Sequence, residues 1–325
     1  MTNENYPDGT NITHILECSL SVSQMLSVII MYISICAKRK NIADTVNKLI
    51  QFDSSMFKIN CNYKVNSSLA IILVLCTYAI IVIGLFVTSI IGYPESLTYL
   101  VLINGDVIIN LFIIEYAIIL ELIISRIRSL NKLLLKIGGR TLEYQEDIFF
   151  KTRVKLKNTN LIELTSIRQA IATIYTISSF TVNLFSFPLL WIILYDSGVM
   201  IYSAYYIIMP FIYISSDGSL ISITTSMLSF MISVFSIIML AQKVENFKEE
   251  MNRTGDLIHK IMSRSILDNE LRDELQNFSL ELLHRKVNFT ATGMFSINST
   301  LIKSILGTAV TYLIILLQVE TKDKK

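Results

Sequence analysis

Charged residues are scarce in this chain of 325 residues: they make up 17% of the sequence, whereas soluble domains carry about 25%. Apolar residues account for 52% and the mean hydropathy is +0.55, a composition typical of a membrane protein with several spans. The net charge of +2 is too small to indicate a nucleic-acid partner. A soluble domain is therefore excluded as the main part of the chain.

Residues that build catalytic and metal sites are also few. The three histidines form no zinc-binding pattern, and the sequence contains no Walker loop, nucleophile elbow or dinucleotide fingerprint. The four cysteines, which we interpret as buried apolar side chains without metal-ligand spacing, are Cys18, Cys36, Cys61 and Cys76. We therefore expect no enzyme activity, no metal and no other cofactor.

Six apolar segments are long enough to cross a bilayer as helices. They cover about residues 15–35, 69–91, 100–124, 174–194 and 220–240, and a last segment within 288–319. Basic residues follow the first span at 38–40 and the third at 125–168, which places these loops inside. The sequence thus predicts an all-α membrane bundle of six spans, with long helices extending into the cytoplasm and both termini outside.

The segment 198–214 leaves a second topology open. It is apolar and rich in tyrosine, but it is short and Pro210 interrupts it, so we interpret it as an interfacial or extended outer segment. If it crossed the membrane, the chain would have seven spans and residues 242–286 would lie outside. Glycosylation of the sequons at Asn252, Asn277 and Asn288 would then be expected.

The third span is the most polar. Its polar residues are Asn104, Asp106, Asn110, Glu115 and Glu121. An acid at the centre of a span costs roughly 2.5–3.5 kcal/mol, so such a residue usually faces a bundle interior or a cavity. We interpret Asp106 and Glu121 as solvated residues near the two ends of the span, whereas Glu115 is harder to explain in this way.

Beyond the bundle of residues 1–241, the sequence predicts three shorter regions: a cytoplasmic helical region at 242–287, the last span at 288–319 and a tail at 320–325. Gly138 and Gly139 are expected to end the helix that continues from the third span. An apolar stripe in the helical region comprises Leu267, Leu271, Leu275, Phe278 and Leu282. That region is either a solvated helix or an assembly helix whose stripe meets other subunits.

The last span has two faces at helical spacing. One face carries Thr300, Ser304, Thr308, Thr311, Ile315 and Gln318, and another carries Ile305, Ala309, Leu313 and Leu316. A span that faces only lipid needs no polar stripe. We therefore expect this one to pack on other helices or to line a water path.

The end of the chain also resembles a known signature. Thr311 and Tyr312, followed by five aliphatic residues and Gln318, are similar to the C-terminal signature of insect gustatory receptors. Upstream residues similar to the run that precedes this signature are Leu271, Glu274, Leu275, Phe278, Leu282, Leu283, Arg285, Phe289, Gly293, Phe295, Leu301 and Gly307. The final Phe of the signature is Val319 here. On these residues the chain is identified as a member of this family, within the chemosensory receptor superfamily.

The resemblance implies a tastant-gated, non-selective cation channel, a multi-pass protein of the plasma membrane. Four subunits, of this chain alone or with other gustatory receptor subunits, would surround one pore lined by the last span. The cytoplasmic ends of the later helices would hold the tetramer together. The family has seven spans and a cytoplasmic N-terminus, so we expect this chain to lack the family's first span.

Two sets of residues are expected to carry this function. Gln318 and Ile315 resemble an extracellular constriction, with Thr311 and Thr308 on the same pore-facing side. An aliphatic ring can close a pore by dewetting, and an amide ring can replace the hydration shell of an ion. The ligand pocket is expected among side chains with apolar bulk and polar tips near the outer face: Asn104, Asp106, Trp191, Tyr195 and Tyr202. Trp191 and Tyr195 also fit rings anchored at the outer interface.

Two other hypotheses stay open at this point. A G-protein-coupled or transporter-like protein would have the same hydropathy, although the internal repeats and paired broken helices of transporters are not evident. The chain could also be a truncated, non-functional subunit, which would not reach the cell surface.

Overall fold

The computed structural model describes residues 11–58, 68–92, 97–143, 150–212, 220–263 and 269–323 and is almost entirely α-helical. Its helices are α1 (Asn11–Lys58), α2 (Ser68–Gly92), α3 (Leu97–Glu143), α4 (Phe150–Ile212), α5 (Leu220–Met262), α6 (Asn269–His284) and α7 (Ser299–Asp323). Two short antiparallel strands, β1 (Thr290–Ala291) and β2 (Phe295–Ser296), lie between α6 and α7. The predicted all-α class is confirmed.

Six of the described helices are long and apolar enough to cross a membrane. Their candidate spans are Ile15–Ser54, Ile71–Gly92, Ile103–Gly138, Leu161–Pro210, Leu220–Met262 and Ser299–Gln318. The prediction of six spans is confirmed. Residues 198–212 are the outer end of α4, so the interpretation of this part as an extended segment is wrong. Pro210 lies in the final turn of α4, where the helix ends soon after it.

Several helices are much longer than the membrane is thick. About 20 residues cross the apolar core at a rise of 1.5 Å per residue, whereas α3 has 47 residues and α4 has 63. The prediction that Gly138 and Gly139 end the third helix is wrong, because α3 continues to Glu143. Glycine costs only about 1 kcal/mol in a helix interior, and the packing of Leu134 and Ile137 in the core offsets it.

Helix α3 runs through the centre of the bundle, between α4 and α5. The fully buried side chains that line its inward faces include Ile109, Ile113, Leu120, Ile124 and Ile127. Helices α1 and α2 lie at the periphery of the bundle, and much smaller fractions of their apolar windows are buried. This explains why Cys18, Cys36 and Cys76 are exposed, so the interpretation of these three as buried residues is wrong. Cys61 lies outside the described residues.

Ion pairs join α3 to α5 at the inner end of the bundle. Lys243 Nζ lies 2.7 Å from Glu121 Oε2, and Arg128 Nε lies 2.9 Å from Glu250 Oε1. The Glu121 side chain is only 9% exposed, so the interpretation of this acid as simply solvated is wrong. Glu121 and Glu250 are thus each paired with a base on the neighbouring helix.

Candidate functional site

A group of acidic and aromatic side chains connects α1, α3 and α4 in the outer half of the bundle. We name this group the outer polar cluster, and its members are Glu17, Gln24, Tyr78, Asp106, Tyr195, Asp196, Tyr202 and Tyr206. Glu17 and Gln24 are seven residues apart on α1, as are Tyr195 and Tyr202 on α4. Because seven residues rise about 10 Å along a helix, the cluster has an inner and an outer layer.

The inner layer is centred on Asp106. Its carboxylate accepts a hydrogen bond of 2.7 Å from Gln24 Nε2 and another from the Tyr195 hydroxyl. Tyr195 is buried, so the interpretation of this ring as an interfacial anchor is wrong. The interpretation of Asp106 as a merely solvated residue is also wrong, because two side chains from α1 and α4 bind it. Tyr78 of α2 borders this layer, and its hydroxyl donates to the Val107 carbonyl at 2.8 Å.

The outer layer is centred on Glu17 of α1. Its Oε1 accepts hydrogen bonds from the hydroxyls of Tyr202, at 2.7 Å, and Tyr206, at 3.1 Å. The two tyrosine rings lie 4.6 Å apart between centroids. Both layers thus use tyrosines of α4 as donors to an acid on another helix.

Three side chains beside the inner layer have buried polar atoms without a hydrogen-bond partner among the described residues, and one of these atoms is Asn110 Oδ1. Both carboxylate oxygens of Asp196 lack a donor, although this side chain is completely buried. The indole Nε1 of Trp191 also lacks an acceptor. Buried polar groups are normally paired, so these atoms are exceptions to that rule within the bundle.

The structure brings together some of the residues predicted for the ligand pocket. Asp106 and Tyr195 are in direct contact, and Tyr202 belongs to the outer layer. Trp191 lies on α4 one turn before Tyr195, so the two share a face of this helix. Asn104 is exposed on α3, on the same helix face as Glu115, which is exposed too. The assignment of all five pocket residues to a ligand stays a prediction.

Sequence reasoning did not select Glu17, Gln24, Asp196 and Tyr206. The signal that could have found the acids is the absence of bases: residues 11–37, 65–125 and 169–242 contain no Lys or Arg. Glu121, near the end of one such segment, pairs with Lys243 just beyond another, whereas Asp106 and Asp196 lie about 20 residues or more from the nearest Lys or Arg in the sequence. The pairing of particular tyrosines with particular acids depends on helix contacts that no local pattern encodes.

Helix α7 exposes its polar face and packs through its apolar one. Its exposed side chains include those of Thr300, Ser304, Thr308, Thr311, Ile315 and Gln318. Ile305 on the opposite side is buried, and Ala309, Leu313 and Leu316 are half-buried. The contacts of α7 are mainly with α4 and α5. The polar stripe is thus on the surface of the single chain, and its role in a pore stays a prediction.

The β1–β2 hairpin attaches the start of α7 to the middle of α4. Ser186 Oγ of α4 donates to the Thr290 carbonyl at 3.1 Å and accepts from the Thr292 N–H at 2.6 Å. Gly293 forms the turn at a φ of +77°, a conformation that glycine adopts without strain. Asn298 Oδ1 then accepts the Leu301 N–H at 3.2 Å, which caps the N-terminus of α7.

The apolar stripe of α6 packs inside the chain. Leu271, Leu275 and Phe278 are buried against the main core, and α6 contacts α5 and α4. The prediction that these side chains meet other subunits is therefore wrong, and so is the alternative prediction that the helix is fully solvated. The exposed apolar side chains of α6 are Leu280 and Leu283. Leu267 lies outside the described residues.

Six helices long and apolar enough to cross a membrane define a multi-pass membrane protein. The family model described as 7tm chemosensory receptor matches residues 1–323, and the chain belongs to this family. It is 32% identical over 141 residues to the Drosophila melanogaster protein named gustatory receptor 28b, and 52% identical over 65 residues to the one named gustatory receptor 28a. These alignments cover 41% and 20% of this chain, but only 29% and 14% of the relatives.

Solved structures with the same fold are insect olfactory receptors. The receptor OR5 from Machilis hrabei in complex with eugenol is similar with a TM-score of 0.66, over 96% of this chain and 83% of that one. A second structure of the same receptor gives a TM-score of 0.60 and covers the same shares of the two chains, 96% and 83%. The sequence identities are 14% and 15%, so this similarity shows the fold alone.

Proposed function

We propose that this chain is a subunit of a tastant-gated cation channel of the plasma membrane, in which four subunits surround one pore. The observation that carries the proposal is the exposed polar stripe of α7 in a chain of the chemosensory receptor family. A spanning helix with this stripe facing lipid would be unfavourable. A ring of subunits would turn the stripe towards a shared aqueous path.

The pore would be narrowest at the outer end of α7. Ile315 is 46% exposed and Gln318 is exposed one turn later. Four copies of Ile315 would form an apolar ring that excludes water, and four amides of Gln318 would offer oxygen atoms to a passing ion. Thr308 and Thr311 would line the path further in. Their hydroxyls donate to the carbonyls of Ser304 and Gly307, at 2.9 and 3.0 Å, so oxygen lone pairs stay available to water.

The ligand would bind at the outer polar cluster. The olfactory receptor of the same fold is described in complex with eugenol, a small organic molecule. In this chain the inner layer combines aromatic rings with buried polar groups that lack partners, which is the usual composition of a small-molecule site. Asp106, Tyr195 and Trp191 would contact the ligand there, with Tyr202 on the outward side and Asn104 at the bundle surface.

Helix α4 would transmit ligand binding to the pore. Tyr195 and Asp196 lie on the same helix as Ser186, about nine residues or 14 Å further out along the axis. Ser186 holds the hairpin that leads into α7. Pro188 lies between these points and removes one N–H from the helix ladder, a frequent cause of bending. A shift of the outer end of α4 would thus reach α7 directly.

Subunits would meet through surfaces that the single chain leaves apolar and exposed. In α6 these are Leu280 and Leu283, which are 50% and 61% exposed. In α7 they are Leu306, Val310, Tyr312 and Ile314. The partners would be copies of this chain or other gustatory receptor subunits, with lipid around the assembly.

Whole-cell recording tests the proposal most directly. The full chain is expressed alone and with a second gustatory receptor subunit, beside surface labelling. The expected result is a tastant-evoked cation current that persists when G-protein signalling is blocked. A current that disappears with the G protein, or surface protein that gives no current with any subunit combination and a broad tastant panel, would contradict it.

A further inference from the structure

The outer half of the bundle contains acids that pair with no base among the described residues. These are Asp106 and Asp196, whereas Glu121 and Glu250 in the inner half form ion pairs with bases. Burying an ionised carboxylate is costly unless a cation or several donors compensate it. The two halves of the same bundle thus differ in whether these acids have a cationic partner.

Asp196 is the group that the chain leaves incomplete. Asp106 receives donors from Gln24 and Tyr195, but neither oxygen of Asp196 receives any among the described residues, and the side chain is fully buried. Asp196 follows Tyr195, whose hydroxyl contacts Asp106, so the two acids lie in the same layer of the bundle. Two carboxyl groups in one buried site disfavour each other's ionisation, and a cation bound beside them would favour it.

Aromatic side chains of α2 and α4 lie beside these acids. Tyr195 contacts Asp106, and Trp191 lies one turn before Tyr195 on α4, with an indole N–H that has no partner among the described residues. The Tyr78 hydroxyl of α2 donates to the carbonyl of Val107, the residue after Asp106. The faces of such rings attract organic cations. A metal ion is less suitable, because no group of three or more His, Cys, Asp or Glu side chains comes together in the described chain.

We propose that the inner layer of the outer polar cluster binds an organic ammonium ligand, with Asp196 as its counter-ion and Trp191 as an aromatic contact. Asp106 supplies a second negative charge and is held in place by Gln24 and Tyr195. The inference deepens the proposed function, since it names the ligand class of the same site. It does not require that binding opens a pore.

The single tryptophan of the chain makes binding measurable without a current. The purified full-length protein in detergent is titrated with choline and with its neutral isostere dimethylbutanol, and separately with phenylethylammonium and phenylethanol. The expected result is a saturable change of Trp191 emission with the ammonium member of at least one pair. Its neutral member should bind roughly tenfold or more weakly, because loss of a buried charge interaction costs at least this much.

Two substitutions locate the effect. Asp196→Asn keeps the size of the side chain and removes its charge, so ammonium affinity should fall roughly tenfold or more. Glu115→Gln makes the same chemical change at an exposed acid of α3 outside the cluster and should leave affinity unchanged. Equal affinity for charged and neutral members, a response unaffected by Asp196→Asn, or no emission change with either ammonium compound would overturn the proposal.

Other ligands are separated by the same assay. If sodium or calcium chloride changes Trp191 emission saturably and competes with the ammonium compound, the site binds an inorganic cation. That result would overturn the assignment of an organic ligand. An emission change with sorbitol but with neither ammonium compound would identify a polyol site instead. Ammonium binding without any evoked current would support this inference and contradict the proposed channel function. A current evoked only by neutral tastants would support the channel function and contradict this inference.

Discussion

The third and the last spans of this chain, α3 and α7, are both apolar but differ in what surrounds them. In α3, 61% of the apolar window is buried within the described chain, whereas in α7 nearly all side chains are exposed or half-buried and Ile305 lies at the edge of burial. Helix α3 completes its contacts inside one subunit. Helix α7 leaves a polar and aliphatic surface without a neighbour, which is the property expected of a helix whose partners are other subunits.

The largest loss of stability is expected from the core of α3. Ile113 is fully buried at the centre of this helix. Ile113→Ala would open a cavity there and lower the free energy of unfolding by about 2–5 kcal/mol. The measurement is the thermal unfolding midpoint in detergent, with surface labelling in cells. Leu111→Ala, at a neighbouring side chain that is 49% exposed, is the control. Similar midpoints for the two variants would show that α3 is not the packing centre.

A smaller loss is expected from the polar contacts between α3 and α5. Asn131 Nδ2 donates to the Glu250 carbonyl at 3.0 Å, and its Oδ1 accepts from Thr254 Oγ1 at 2.7 Å. Asn131→Leu would leave both buried partners with one bond fewer, at a cost of about 1–3 kcal/mol. Lys132→Ala, at the exposed neighbour, should change the midpoint little. An unchanged midpoint in Asn131→Leu would argue against this network as a stabilising contact.

The difference between the two helices also decides what sequence could predict. The stripe of α7 was evident because a 3.6-residue period separates Thr308, Thr311 and Ile315 from Ile305 and Ala309. The class and the six spans followed from hydropathy and loop charge. In contrast, the sequence indicated the approximate depth of Asp106 and Glu121 in the membrane but not their partners. Gln24 lies 82 residues from Asp106 in the sequence and Lys243 lies 122 residues from Glu121, each on another helix.

Sequence reasoning failed where tertiary packing overrides a local preference. Gly138 indicates a helix end, but Leu134 and Ile137 pack into the core and the helix continues. The stripe of α6 indicates an interface, but the nearest apolar surface is α5 of the same chain. Periodicity identifies which face is apolar, whereas the identity of its partner depends on the whole fold.

The attachment of α7 to α4 should affect gating more than stability. Ser186→Ala removes both hydrogen bonds to the hairpin, each worth about 0.5–1.5 kcal/mol. We expect a smaller tastant-evoked current at unchanged surface expression, because movement of α4 would no longer reach α7. Ser166→Ala on the same helix is the matched control, since that hydroxyl bonds only to the Ile162 carbonyl of its own helix. Equal currents in the two variants would exclude this route of coupling.

The smallest effect on the folded subunit is expected from the stripe of α7, and it sharpens the comparison with α3. Ile315 and Gln318 are exposed, so Ile315→Ala and Gln318→Ala should change stability by about 0.5 kcal/mol or less. Because both side chains would form the constriction, each variant should raise the basal current or alter ion selectivity at constant surface expression. Ile83→Ala, at an exposed aliphatic residue of α2 away from α7, should not. Wild-type currents in both stripe variants would mean that α7 exposes this face for packing between subunits and not for an ion path.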